Sequence, residues 1–364
     1  MNFKLIITTS IFGLSLLSCD ISDDPASNLN LSPSIANFEK FILTEEEIES
    51  RTKMLPTNGS EDVSSLLGKI QNPKHIKVSD SDILPNSKLQ WIVHANFNKP
   101  LLTVDLISIF SENLIDTYNT LTIFGKDFQT GNWAYLISDD SPVKVTSLKF
   151  AWAYTVTWSD IIEIIDSEIY QSRISNIQMN LDKLASVSVY SEVSPQDAYN
   201  KSVYLTKIFE RFDNSVDIRL VASKGNRFSG RDVWDVMSSL GLKWGDMEIF
   251  HWQNEYDYGD DFFFSVWTSS QPGYFLPEEI AANQLYLEDI VFGFNIPRSA
   301  DPVAVYKSMI AAVKYAKKRL GGTIVSIEGY PINVEEKIKE LQSIAEELET
   351  LGFKAGSDNA LLHF

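Results

Sequence analysis

Across residues 216–222 apolar and polar residues alternate, the period of a strand with one buried face. Ser229 then caps a stretch in which Val233, Trp234, Met237 and Leu240 recur at helical spacing. The next segment, Leu240-Gly-Leu-Lys-Trp-Gly-Asp-Met-Glu-Ile-Phe-His-Trp252, turns through Gly241 and Gly245 and predicts a strand. Its Met247, Ile249 and His251 would share one face, with Glu248, Phe250 and Trp252 on the other. Large apolar groups on both faces exceed what a one-sided core needs, so one face is expected to meet a partner. A polar turn at 256–261 leads into 262–268, the second strand of a hairpin. A strand over 287–296, a helix over 301–320 stopped at Gly321-Gly322, a strand over 323–327 and a helix capped by Asn333 complete this half.

The first half has the same order. Residues 89–97 read as a strand and Thr103 caps a helix reaching Ile115; 120–124 and 132–138 form a hairpin, and 148–156 is a strand. A helix over 159–184, a short strand over 185–191 and a helix opened by Ser194-Pro195 follow. Strand, helix, hairpin, strand, helix, strand, helix, twice over, predicts a duplicated α+β domain at residues 87–213 and 214–364. Residues 19–86 are polar and weakly periodic and read as a tether, with Thr44 capping a short acidic helix.

Charge and cysteine change the picture in two ways. A formal charge of −18 argues against nucleic acid and against an anionic lipid surface as partners. The single cysteine excludes an internal disulfide, and four scattered histidines supply no metal-ligand spacing, so no metal or cofactor is expected. Lys4 and the apolar run to Ser18 have the form of an export signal over residues 1–18, too short to span a bilayer comfortably. Leu16-Leu17-Ser18-Cys19 resembles the bacterial lipobox, which implies lipidation of Cys19 and an exported, membrane-anchored protein on the periplasmic or cell-surface side.

The 240–252 stretch also carries a family resemblance. Together with Phe264-Ser-Val-Trp-Thr-Ser-Ser-Gln-Pro-Gly-Tyr-Phe-Leu-Pro-Glu278 and the pattern from Ile296-Pro297 to Asn333, it resembles the C-terminal, FtsZ-binding domain family of the cell-division protein ZipA. The resemblance spans about residues 215–352 and implies an antiparallel sheet with helices on one face. In that family the open face takes the C-terminal peptide of FtsZ in an apolar groove. Carried over by position, the groove residues are Met247, Ile249, His251, Trp267, Ser269 and Gly293. Trp267 stands where the family has a small residue, Ser269 where it has methionine, and Gly293 where it has phenylalanine. The first half would be a divergent relative, making two tandem sandwiches of this type.

Other chemistry is weaker. Glu255, Asp257, Asp260 and Asp261 lack the alternating ligand spacing of a calcium loop. His251 has no placed nucleophile beside it. The sequence therefore predicts a non-enzymatic, membrane-anchored module that binds a protein or peptide with an apolar segment. The alternative is a cytosol-facing division adaptor that binds the FtsZ C-terminal peptide.

Overall fold

The structure, a computed structural model, describes residues 43–71, 84–113, 121–136, 143–158 and 161–364. The expected export signal, Cys19 and the start of the tether lie outside the described residues. Among the described residues the chain divides into two units, one built from residues 84–211, the other from 43–71 and 212–362. Both are α+β, with antiparallel sheets. The first described helix, α1 (Glu45–Thr52), belongs to the second unit.

In the first unit β1 (Gln90–Leu102) leads into α2 (Thr103–Asn113), then β2 (Leu121–Asp127), β3 (Trp133–Tyr135) and β4 (Lys144–Ala153). A small hairpin, β5 (Val156–Trp158) and β6 (Ile161–Glu163), takes the chain into α3 (Ser167–Leu181), β7 (Val187–Tyr190) and α4 (Pro195–Phe212). The second strand of this hairpin occupies residues expected to be helical, so α3 starts later than its periodicity suggests. The sheet order is β3-β2-β4-β1-β7. Trp91, Val93 and Ala95 of β1 and Leu148, Phe150 and Trp152 of β4 are buried on one face. There α3 covers them, Tyr170 meeting Trp91 edge-on at 4.9 Å and the Arg173 guanidinium lying 4.9 Å from the Trp152 ring.

The second unit runs β8 (Ser215–Val221), β9 (Phe228–Ser229), α5 (Gly230–Ser239), β10 (Lys243–Trp244), β11 (Phe250–Gln253) and β12 (Phe262–Trp267). It continues with α6 (Pro277–Ala281), β13 (Tyr286–Leu287), β14 (Asp289–Asn295), α7 (Pro302–Leu320), β15 (Thr323–Ser326) and α8 (Val334–Thr350). Asn333 caps α8 as its sequence position suggests, and Asp301, read as the start of α7, is its cap. A closing helix, α9 (Asp358–His363), capped by Ser357, was not foreseen. The main sheet order is β10-β11-β12-β14-β8-β15. Val216, Ile218, Leu220, Val266, Phe292 and Phe294 join Val233, Met237, Val305, Met309 and Val313 of α5 and α7 in one apolar core.

The two sheets share a three-strand centre, β7-β1-β4 in one and β15-β8-β14 in the other. They differ at the hairpin. In the first unit its leading strand, β2, pairs with β4; in the second its trailing strand, β12, pairs with β14. The element order repeats, but the hairpin joins the sheet by opposite strands.

Part of the segment read as tether is built into the second unit. Thr44 and Glu47 form a reciprocal capping box at α1, and Leu55, Leu67 and Ile70 are buried in the core beside α5 and α7. The strap is held through both its backbone and its side chains. Trp234 Nε1 donates to the Pro56 carbonyl at 2.9 Å, Val63 N–H to the Ser239 carbonyl at 2.9 Å, and the Ser308 hydroxyl to the Leu67 carbonyl. Arg319 of α7 bridges Glu61 at 2.7 Å and Asp235 at 2.6 Å. Burial is worth roughly 1.5–3 kcal/mol for each large apolar side chain, so the strap contributes to the core as a secondary element would. Leu67→Ala should lower the stability of the second unit by about 2–4 kcal/mol, because a buried leucine leaves a cavity. Met54→Ala, at an exposed strap position, should change it by less than about 0.5 kcal/mol. Urea denaturation of the full chain followed by tryptophan fluorescence measures both.

Candidate functional site

The stretch expected to form one continuous strand is interrupted. Asp246–Glu248 make a single tight helical turn in which Met247 and Glu248 both take φ near 59°. This left-handed conformation costs a side-chain-bearing residue roughly a kcal/mol and must be held by its surroundings. The hold comes from the Pro-Gly-Tyr-Phe-Leu-Pro-Glu segment. Phe275 N–H donates to the Glu248 carbonyl at 2.9 Å, and the Phe275 carbonyl accepts from Trp244 Nε1 at 2.9 Å. The Phe275 ring, fully buried, meets Phe250 at 5.2 Å. Pro277 opens α6, where its missing N–H costs nothing. Arg51 of the strap ties the two segments together, bridging Glu248 and, at 2.8 Å, Glu278. The two sequence signatures are thus one packed unit.

This geometry re-sorts the residues predicted to line a groove. Met247 projects from the turn and is 41% exposed. Ile249 is buried in the core cluster rather than offered to a partner, because strand alternation begins only at Phe250. His251 is 3% exposed, stacked on Phe262 at 3.9 Å. Its Nε2 lies 2.8 Å from the Asp246 carbonyl, which can only accept, so Nε2 carries the proton. Nδ1 then accepts the Ser265 hydroxyl at 2.9 Å. Both ring nitrogens are consumed inside the fold, leaving none for a substrate.

Across the face away from α5 and α7, one row of paired positions reads Lys243, His251, Ser265, Gly293, Asp217. The next reads Trp267, Val291, Arg219, Val325. The Trp267 indole lies over Gly293. A Cβ added there would sit 2.5 Å from the indole and 2.1 Å from the Asp217 carboxylate. The ring therefore occupies space that the glycine vacates. Burial raises the pKa of Asp217, and Glu328 adds to the shift while the Ser215 hydroxyl opposes it.

Ser269, expected as a lost groove wall, instead binds a buried carboxylate. Its N–H donates to Asp289 Oδ1 at 2.8 Å and its hydroxyl to Oδ2. Thr268 Oγ1 adds a bond at 3.1 Å, and Arg219 donates to Asp289 from Nε at 2.9 Å and from Nη2 at 2.6 Å. Burial alone would raise the Asp289 pKa; the Ser269 bonds and the Arg219 guanidinium outweigh it and hold the carboxyl below its ordinary value. A partly open recess of about 20 Å³ lies beside this face, lined by Phe262, Ser265, Gly293, Asn295 and Ser299 among others. It has room for one water and no larger ligand. Among the described residues no group of three His, Cys, Asp or Glu is arranged to hold a metal, and no helix is long and apolar enough to cross a membrane.

Burial holds the His251 pKa down to about 4, against 6.5 for a free imidazole, with the Asp246 carbonyl opposing the shift. Below pH 6.5 the unfolded chain takes up a proton that the folded chain refuses until about pH 4. Stability from this group is therefore complete above pH 6.5 and is lost as pH falls toward 4, by on the order of 2–3 kcal/mol. Urea denaturation at pH 7.5 and 4.5 should show this loss in the native chain and a smaller one in His251→Gln.

Residues 214–343 match the family described as ZipA, C-terminal FtsZ-binding domain. The cell division protein ZipA of Marinobacter nauticus is 27% identical over 107 residues, covering 29% of this chain and 31% of the relative. ZipA of Shewanella loihica is 27% identical over 108 residues, covering 30% and 32%. ZipA of Glaesserella parasuis is 24% identical over 205 residues, covering 52% and 74%. The match to the first two thus spans about a third of each relative's length. The Gly-Asp-Met turn, the Phe275 lock and the antiparallel sheet that they join all fall inside the matched residues, and across 214–343 this chain is related to the ZipA C-terminal domain family.

Proposed function

We propose that this chain is a non-enzymatic binding protein, anchored through lipid on Cys19, whose second domain receives an apolar peptide on the sheet face around Met247 and Trp267. The observation that carries the reading is the family match over 214–343, in a domain whose signature residues are used structurally rather than chemically. Ile249 and His251 are dropped from the binding set because both are buried, and Ser269 and Gly293 act as supports for Asp289 and Trp267. The anchor rests on the lipobox-like Leu16-Leu17-Ser18-Cys19. Lipidation there would put the domains on the outer side of the membrane, in the envelope.

The family's description as FtsZ-binding supports FtsZ as the partner, and with it a second reading, in which the domains face the cytosol and the peptide is the FtsZ C-terminus. Two measurements separate the readings. Palmitate incorporation that is lost in Cys19→Ala, with the domains cleaved by protease added outside spheroplasts, supports the envelope reading; protected domains and no label support the other. Fluorescence titration with an FtsZ C-terminal peptide tests the ligand. If the sheet face is the site, Trp267→Ala should weaken whatever peptide binds by at least about tenfold, the scale of losing one large apolar contact. Unchanged affinity in that variant would remove the site from this face.

A further inference from the structure

The strap begins beside the sheet face of the second unit that lies away from α5 and α7. Leu43 N–H donates to Asp246 Oδ1 at 3.1 Å, and the Leu43 side chain packs on the core. The carbonyl of the same Asp246 accepts from His251 Nε2 at 2.8 Å. His251 opens the row His251, Ser265, Gly293 and Asp217 across that face. The chain therefore enters the second unit at one end of this row, next to Met247. Ile327, one residue past the pair of Ser326 with Ile218, stands at the other end beside Asp217. The middle of the face is withdrawn from water: Ser265 is buried, and so is Val291, between Trp267 and Arg219 in the next row. Met247 and Ile327 are exposed. An occupant of this face would add cover mainly at its rim.

The sequence that leads into Leu43 suits this position. Leu31, Ile35, Phe38 and Ile42 recur at helical spacing, with Phe41 beside them, while Ser34, Asn37, Glu39 and Lys40 fall elsewhere around the turn. That is the stripe of an amphipathic helix, and Ser32-Pro33 is a helix start. A helix from Pro33 to Ile42 would be about 15 Å long. The three strand spacings from His251 to Asp217 span about 14 Å. With its C-terminal end held at Asp246, such a helix laid along the row would bring its first N–H groups to Asp217. The Asp217 carboxylate accepts the Ser215 hydroxyl at 2.7 Å and pairs with no cation among the described residues. A helix N-terminus favours a carboxylate beside it.

We propose that residues 32–42 dock on this face as an intramolecular ligand, with Ile35, Phe38 and Ile42 over Trp267 and the rim residues Met247 and Ile327. The regulatory consequence rests on the reading of the same face as a peptide site: the segment competes with any outside peptide for it. A segment joined directly to its site acts at an effective concentration on the order of a millimolar. An outside peptide is then bound with an affinity reduced to the fraction of chains whose face is free.

The test uses the full chain, native and with Ile35→Asp and Phe38→Asp together. The double variant changes no residue of the described fold, so its behaviour does not come from misfolding of either unit. Hydrogen exchange read by mass spectrometry should show the amides of residues 34–42 protected in the native chain. Protection should be lost in the double variant and in Trp267→Ala, and kept in Asn37→Asp on the polar side of the stripe. A labelled synthetic peptide of residues 31–43, followed by fluorescence anisotropy, should bind the double variant at least about tenfold more tightly than the native chain. That result with no binding of an FtsZ C-terminal peptide to either chain supports the docking and removes only the outside ligand. Equal affinity of the two chains for the 31–43 peptide, or no protection across 34–42, would overturn the proposal. So would protection that grows with protein concentration, the mark of a second copy supplying the segment.

Discussion

Phe275 is the residue on which the second unit depends. It donates its N–H to Glu248, accepts the Trp244 indole N–H, and packs its ring on Phe250, which in turn meets Trp234 of α5 at 5.1 Å. Through these bonds a turn that two ordinary residues would not hold alone, Met247 and Glu248 at positive φ, becomes fixed. The turn sets where strand alternation starts, and so decides that Ile249 and His251 belong to the interior. Arg51 closes the assembly from a distant part of the sequence, its guanidinium 5.1 Å from the Trp244 ring and paired with acids on both joined segments.

Much of this fold was legible. The caps Thr44 and Asn333 stand where the sequence puts them because capping is local chemistry. The strand β8 followed from its alternation, and the helices α4, α7 and α8 from their end signals, Ser194-Pro195, Gly321-Gly322 and Asn333. The strap was not legible. Its buried residues, Leu55 and then the single pair Leu67 and Ile70, are too few to set a period, and several of its bonds use backbone groups at Pro56, Val63 and Leu67. Backbone donors and acceptors are the same in every residue, so composition reports such a segment as a linker. The Asp246–Glu248 turn escaped for a related reason: left-handed residues announce themselves when they are glycine or asparagine, and here they are methionine and glutamate.

The hairpin difference between the units shows where element order stops being informative. Strand, helix, hairpin, strand describes both halves, yet β2 in one and β12 in the other is the strand that pairs with the centre of its sheet. Which strand of a hairpin joins a sheet depends on which side-chain set matches the neighbouring strand. In the first unit β2 supplies Ile123 beside Phe150, and in the second β12 supplies Val266 beside Phe292. That is a pairwise property of distant residues, and local pattern does not contain it.

The exchange at Gly293 and Trp267 bears most directly on the face proposed to bind a peptide. Taken one position at a time, a glycine and a serine replacing large apolar residues would empty a groove. The geometry makes the substitutions interdependent. The indole of Trp267 lies where a side chain at 293 would have to stand, and Asp217 closes the remaining side. Ser269 is committed to Asp289, which also anchors Arg219 in the row beside Trp267. The face presents an aromatic surface from β12 over the glycine of β14, bordered by a carboxylate and a guanidinium. A ligand fitted to an open apolar trough would meet a flatter, more polar surface centred on one ring. Its fit is then set by contacts around Trp267, Asp217 and Arg219 rather than by the depth of the groove.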